Sequence, residues 1–370
     1  MTAHLTPISA ARVSTALSND RNAAQPASIK LVVIGAGRWG THLVRNFLSL
    51  PQTDLLAVVD PNLEQLQSLP NRLGRHQKLD DRILLTDWAE ALALPDVDAV
   101  VVATPAISHF PIIEAALQRG CHVLAEKPLT LAPQEARQLC QLAARQQRQL
   151  VVDHTYLFHP AVQQGQAAIR AGQLGKLRYG YANRTHLGPV RQDVDALWDL
   201  AVHDIAIFNA WTGESPIAVQ AQEMSWLQPG IADLVWVSLS YPSGFQAMIH
   251  LCWGNPDKQR RLCTVGDRGT LVFDELNLES PLTFLPGSFK PACSSGVVPF
   301  LPIVHSPQSI AIEPVEPLQQ VCGHFLDCVQ HNTPSSISPG ELGAELVAIL
   351  TALTASLQQG GQKISLPEQI

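Results

Sequence analysis

The sequence predicts an α/β protein. A doubly wound parallel sheet comes first, and an α/β domain with a large, mostly antiparallel open sheet follows. Three observations carry this. Short apolar runs alternate with helix-period stretches from Ile29 to His154, the pattern of strands crossing over through helices. The turn Gly35-Ala-Gly37-Arg38-Trp39-Gly40 joins the first run to the first helix. Beyond Gly175 the alternation gives way to successive strand-like runs separated by turn residues.

The elements follow in order. IKLVVI (29–34) is apolar apart from Lys30 and bounded by glycine, as a strand buried on both faces should be. The glycine turn opens a helix with Leu43, Phe47 and Leu50 on one stripe. DLLAVVD (54–60) is a second strand, followed by a helix carrying Leu63, Leu66 and Leu69. RILLT (82–86) is a strand, and Asp87 caps a helix over 88–94. DAVVVAT (98–104) precedes a helix over 108–119 that stops at Gly120. CHVLAEKP (121–128) is strand and loop, Pro133 starts a helix to about 148, and QLVVDH (149–154) is a strand.

In the second half, 160–172 reads as helix, KLRYGYANRTH (176–186) as strand and Asp193–Trp211 as a helix closed by Thr212-Gly213. Strands follow at 217–227, 232–241, 245–253 and the pair 260–266 and 270–275, which Asp267-Arg268-Gly269 joins with hairpin chemistry. Seven prolines across 285–317 predict loop. Two helices, 318–331 and 339–358, close the chain. Residues 1–28 are expected to be a disordered or extended tail, with a transit peptide as the alternative; 29–152 form the first domain and 153–370 the second.

A chain of 370 residues can bury such cores without disulfides or metals. The net charge of −7 excludes a generally basic nucleic-acid binder, and no apolar run approaches the ~18 residues of a membrane span. Charged residues are only 15%, against about 25% ordinarily, which suits a surface partly buried in a homo-oligomer, dimer or tetramer. Seven cysteines, odd in number and without C-x-x-C spacing, argue against a disulfide scaffold or zinc site and for a reducing, cytoplasmic location. The first residues lack the apolar core of a secretory signal.

G-x-G-x-x-G between a buried strand and a helix predicts a dinucleotide site. The first glycine permits the turn, the second lets backbone approach a pyrophosphate, and the third lets helix pack on strand. Asp60 ends the next strand, 20 residues past Gly40, with no Arg or Lys beside it. A carboxylate there accepts from the ribose hydroxyls of NAD and repels the extra phosphate of NADP.

VVVATPAISHF (100–110) brings Thr104-Pro105 to a strand's C-terminal edge, where open α/β sheets bind ligands. Ala125-Glu126-Lys127-Pro128 ends the next strand. With the glycine turn, HTYLFHPAV (154–162) and DLAVHDI (199–205), these segments make the chain from Ile29 onward resemble the Gfo/Idh/MocA oxidoreductase family. The resemblance implies a Rossmann domain that binds NAD, a second domain with a large open sheet and an active site in the cleft between them. It implies cofactor contacts from Gly35, Gly37, Arg38, Trp39, Gly40, Asp60, Thr104, Pro105, His109, Glu126 and Lys127. It also implies that Lys127 reaches substrate and nicotinamide together, where an ammonium stabilises developing alkoxide charge. Asp199 and His203, at i and i+4 on one helix face, are expected to act as a carboxylate orienting a general base. Which of Lys127 and His203 takes the hydroxyl proton stays open. Asp204 is expected to cap or pair structurally.

NRTHLGPVRQDVDALWDLAVHDI (183–205) is similar to the nucleotide-sugar branch of that family, whose members oxidise C3 of UDP-linked N-acetylglucosamine uronic acid. Arg184 and Arg191 have the chemistry to grip a carboxylate or diphosphate, or else stand at a surface or interface. Tyr156 and His154 line the cleft or pack in the core. The function expected is NAD-dependent hydride transfer from a sugar carbinol carbon. The alternatives are a dehydrogenase of free sugars or polyols, of inositol type, and a non-catalytic cofactor-sensing regulator.

Overall fold

Six parallel strands come first. β1 (Ile29–Ile34), α1 (Arg38–Ser49), β2 (Thr53–Val59), α2 (Leu63–Leu73), β3 (Leu84–Leu85) and α3 (Trp88–Leu92) build one half, and β4 (Ala99–Val102), α4 (His109–Gln118), β5 (His122–Ala125), α5 (Pro133–Gln146) and β6 (Leu150–Val152) the other. The strand order is β3-β2-β1-β4-β5-β6, a doubly wound sheet whose order reverses between β1 and β4. Its strands are apolar on both faces because both are covered: Leu31 and Val33 enter one core, Val32 and Ile34 the other. The computed structural model describes residues 28–74, 79, 84–292 and 300–367; the expected tail and the start of the 82–86 strand lie outside these.

The second domain continues with α6 (Pro160–Arg170), β7 (Leu177–Leu187), α7 (Ala196–Thr212), β8 (Ala218–Met224), β9 (Leu234–Ser240), β10 (Gln246–Cys252), β11 (Gly254–Gly266) and β12 (Gly269–Asp274). Then come β13 (Leu282–Pro291), β14 (Phe300–Val304), β15 (Gln308–Ser309), α8 (Pro317–His331), α9 (Gly340–Gln358) and β16 (Ile364–Ser365). Its sheet runs β14-β13-β12-β11-β7-β10-β9-β8-β16, with β15 also on β13. The β7–β10 pair is parallel and the other described pairs are antiparallel. Helix α7 packs on β7, β9 and β10 at the middle of one sheet face. The opposite face exposes Tyr179, Trp236 and Met248.

Three expectations need correction. The proline-rich 285–317 segment is not all loop: β13, β14 and β15 form an arm at the sheet edge. Proline costs a strand its N–H but not its carbonyl, and the Pro286 carbonyl still accepts from the His305 N–H at 3.3 Å. The helix expected from Asp193 starts at Ala196, because the Asp195 carboxylate accepts from the Trp198 N–H at 2.9 Å and caps it. Finally, α9 is by length and composition apolar enough to cross a membrane, but 56% of its apolar window is buried in the fold, against α5, α7 and β8.

The chain's last helices return to the first sheet. α8 packs on α1 and β1, and α9 on α5 and β6. The Phe47 and Phe325 rings meet edge to face at 6.5 Å, both fully buried. Phe47→Ala should therefore cost about 3–5 kcal/mol, read from the denaturant midpoint of the whole chain.

Candidate active site

The glycine turn has the shape a pyrophosphate needs. A Cβ on Gly35, whose φ is +103°, would lie 2.4 Å from the Ala103 carbonyl oxygen. A Cβ on Gly40 would lie 1.9 Å from the Gly35 carbonyl oxygen. A Cβ on Gly37, the residue before α1, would meet nothing within 4 Å. Two glycines thus close the turn, and one leaves open space at a helix N-terminus whose free N–H groups attract anions. The residues present fit a bound dinucleotide.

Asp60 braces this turn: its Oδ2 accepts from the Ala36 N–H at 2.8 Å and its Oδ1 from the Asn62 N–H at 2.9 Å. Each oxygen keeps a lone pair for a ribose hydroxyl. The sequence showed no cation beside Asp60, but α2 brings one to the turn. Arg72 donates to the Ala36 carbonyl at 2.8 Å and to Thr41 Oγ1 at 2.6 Å. No local signal marks Arg72, since its position depends on how α2 packs.

The loops after β4 and β5 are pinned together. His109 is fully buried, and its ring nitrogens lie 2.9 Å from the carbonyl oxygens of Thr104 and Pro128. Expected to touch cofactor, it fixes two loops that border the site, and burial pushes its pKa down. Pro128 follows Lys127 through a cis peptide. The Lys127 side chain is 12% exposed. Its Nζ donates to the Asp199 carbonyl at 2.9 Å and stands 3.9 Å from the Asp199 carboxylate. Burial lowers its pKa, which Asp199 and Glu126 partly restore.

Asp199 and His203 do share a face of α7, but not as a hydrogen-bonded pair. The Asp199 carboxylate accepts from Arg191 Nη1 and from Trp253 Nε1, each at 3.2 Å, besides facing Lys127. His203 Nδ1 is buried without a hydrogen-bond partner among the described residues. Its ring lies 4.8 Å from that of Tyr156. Burial first, then the charges of Lys127 and Arg184, hold the imidazole well below its ordinary pKa and so neutral.

Arg184, expected to grip an anion or stand at a surface or interface, lines the cleft and is held in a buried ion pair. It is 4% exposed, and its Nε and Nη2 donate to the two Asp204 oxygens at 2.8 and 2.9 Å. This guanidinium is a buried strut. Its Nη1 donates to the Tyr156 hydroxyl at 2.9 Å, and that hydroxyl donates to Glu275 Oε2 at 2.6 Å. Arg191 pairs with Asp193 and Asp199 but stays partly exposed.

Two buried acids complete the floor. Glu126 and Asp153 follow Ala125 and Val152, which are paired on adjacent parallel strands. Burial, with Asp153 beside it, raises Glu126 to about 8, and burial raises Asp153 to about 6. His154, buried with both ring nitrogens unpartnered among the described residues, is pushed down to about 3. Asp153 was not singled out from the sequence, although a polar residue ending a parallel strand stands where such sheets bind ligands.

These groups converge on one cleft of about 860 Å³, lined by Arg38, Trp39, Glu126, Lys127, Asp199 and His203 among others. A larger hollow of about 1230 Å³ between α6, α7 and α9 gathers no comparable set of reactive side chains.

A dinucleotide-binding sheet and a large-sheet domain that close a cleft around a lysine and a histidine define a two-domain oxidoreductase architecture. The pattern of the Gfo/Idh/MocA oxidoreductase family with NAD-binding Rossmann fold matches residues 29–154, and that of its C-terminal domain matches 162–272; the chain belongs to this family. It is 33% identical over 190 residues to UDP-N-acetylglucosamine 3-dehydrogenase of Acidithiobacillus ferrooxidans, covering 51% of this chain and 56% of that protein. It is 30% identical over 230 residues to inositol 2-dehydrogenase 4 of Saccharopolyspora erythraea, covering 60% of this chain and 66% of that protein. The chain thus spans somewhat over half to two thirds of these relatives' lengths. Aldose-aldose oxidoreductase from Caulobacter crescentus shares the fold, with a TM-score of 0.75 at 20% identity over 92% of this chain and all of that one.

Removing the Asp204 carboxylate would leave the Arg184 guanidinium buried and unpaired. Asp204→Ala should destabilise by about 3–5 kcal/mol, seen as a lower urea midpoint with little change in slope.

Proposed function

We propose that the protein is an NAD-dependent dehydrogenase of sugar carbinol carbons, with C3 of a nucleotide-linked sugar as its first substrate class. The observation that carries this reading is the meeting of Lys127 from the first domain with Asp199 and His203 from the second, in one cleft beside the glycine turn. NAD, when bound there, supplies the hydride acceptor, and Asp60 favours it over NADP.

The chain's own groups do the rest. Burial keeps Lys127 and His203 toward their neutral forms. His203 is the weaker base, held well below its ordinary value by burial, and no carboxylate pairs with it among the described residues. Lys127 has the Asp199 carboxylate beside it to stabilise the ammonium that forms. The hydroxyl proton therefore goes to Lys127 Nζ, and neutral His203 holds the hydroxyl in line. Asp199 is the partner of the lysine rather than of the histidine. Arg38, Arg191, Lys258 and Arg260 also line the cleft, a cationic rim suited to a diphosphate or uronate. The likeness to a UDP-N-acetylglucosamine 3-dehydrogenase favours the same class, and that to an inositol 2-dehydrogenase supports free polyols as the second reading. The exposed sheet face around Trp236 and Met248 suits a second copy of the chain.

Nicotinamide reduction should be faster with UDP-linked N-acetylglucosamine derivatives than with myo-inositol; the reverse order selects the polyol reading. Lys127→Ala should lower turnover by about 10²–10⁴ while NAD still binds, checked by stopped-flow absorbance beside a fluorescence titration. Asp60→Ala should weaken NAD binding and narrow the ratio of NAD to NADP rates, measured side by side.

A further inference from the structure

Glu126 and Asp153 sit side by side at the C-terminal ends of β5 and β6, where Ala125 pairs with Val152 and the Asp153 N–H donates to the Ala125 carbonyl at 2.7 Å. They are 8% and 1% exposed. Glu126 Oε1 and Asp153 Oδ2 are buried and have no hydrogen-bond partner among the described residues. The other oxygens are engaged: Glu126 Oε2 accepts from the Lys127 N–H at 3.3 Å, and Asp153 Oδ1 from the Thr155 hydroxyl at 2.7 Å. Both residues line the cleft that holds Lys127. Two carboxyls on neighbouring strand ends, both this dry, strongly disfavour double ionisation.

We propose that Glu126 and Asp153 share one proton at neutral pH and that Asp153 is the inner acceptor for the proton Lys127 takes from substrate. This rests on the dehydrogenase reading above. The balance is simple. The substrate O–H proton moves to neutral Lys127 Nζ as the carbinol C–H leaves as hydride. Lys127 Nζ and Asp153 Oδ2 are not in hydrogen-bond contact, so the ammonium's proton crosses by water in the cleft that both line, and the neutral carboxyl pair then releases one proton to that solvent, which resets amine and pair. Asp153 acts through Lys127 and is a positioning residue. The surroundings fit these charges. Lys127 favours ionised Asp153, Arg191 and Lys127 favour ionised Glu126, and Asp199 faces the lysine from α7. His154 and His203 are neutral, and on α8 the Cys322 thiol, raised by burial and by both acids, carries no charge. With Glu126 held to about 8 and Asp153 to about 6, the pair carries one proton between those values.

Two measurements test this. The first needs no substrate. Folded Glu126 keeps its proton to about 8, whereas unfolded it loses it near 4.5; the folded chain binds the extra proton, so stability falls as pH rises through that window. Glu126→Gln removes this loss, so its melting temperature should gain on wild type from pH 6 to pH 8; a constant difference overturns the shared proton. The second is steady-state kinetics in the oxidative direction. Asp153→Asn should lower kcat by about 10²-fold at unchanged KM and erase the fall in activity expected of wild type below about pH 6. Glu126→Gln should lower kcat less than Asp153→Asn does and should keep that fall. Equal losses in both variants, or a normal Asp153→Asn, overturn the acceptor role. Should Asp153→Asn not fold, Asp153→Glu replaces it, with the acid-side fall displaced if the proposal holds and unmoved if it fails. A wild type that oxidises no sugar refutes the dehydrogenase reading instead, and the melting comparison still decides the shared proton.

Discussion

One buried lysine, neutral at rest and charged in turnover, organises the centre of this molecule. Lys127 hangs from the end of a strand in the first domain, yet what stabilises its charge, the carbonyl and carboxylate of Asp199, belongs to a helix of the second. A buried charge left alone costs several kcal/mol. The lysine and its acceptors thus form a polar contact between the two domains. Arg191 and Trp253 fix the far side of that carboxylate, so the lysine meets a rigid partner.

Around this contact the chain divides the work between groups that face the cleft and groups that brace them. His109 ties the loops after β4 and β5 together. The Arg184–Asp204 pair sets Tyr156, whose ring flanks His203. Asp60 and Arg72 hold the glycine turn from its two sides. His109, Arg184 and Asp204 are buried, Asp60 is half-buried and Arg72 is exposed, and each spends its hydrogen bonds on nearby backbone or side chains. Such a shell keeps reacting groups within the narrow tolerance that hydride transfer demands.

The parallel sheet was legible because a strand covered on both faces is apolar throughout, as Val100 to Val102 show, and because the roles of Gly35, Gly37 and Gly40 depend only on neighbouring backbone. Lys127, Asp199 and His203 were legible as residues and not as a network. Spacing on α7 puts Asp199 beside His203, but long-range packing delivers Arg191, Trp253 and Lys127 to the carboxylate first. Arg184 carried the signal of an anion-binding arginine and nothing local revealed Asp204 opposite it. The arm of β13 and β14 was hidden because its prolines keep their carbonyls for pairing, as Pro286 does, while β14 itself lies at the sheet edge.

The return of α8 to α1 and β1 reaches beyond packing. Phe325 emerges from the ribosome nearly 280 residues after Phe47, the ring it packs against. The nucleotide-binding half thus lacks part of its wall through most of synthesis, and it closes only when the C-terminal helices arrive. Maturation of the cofactor site is in this way coupled to completion of the polypeptide.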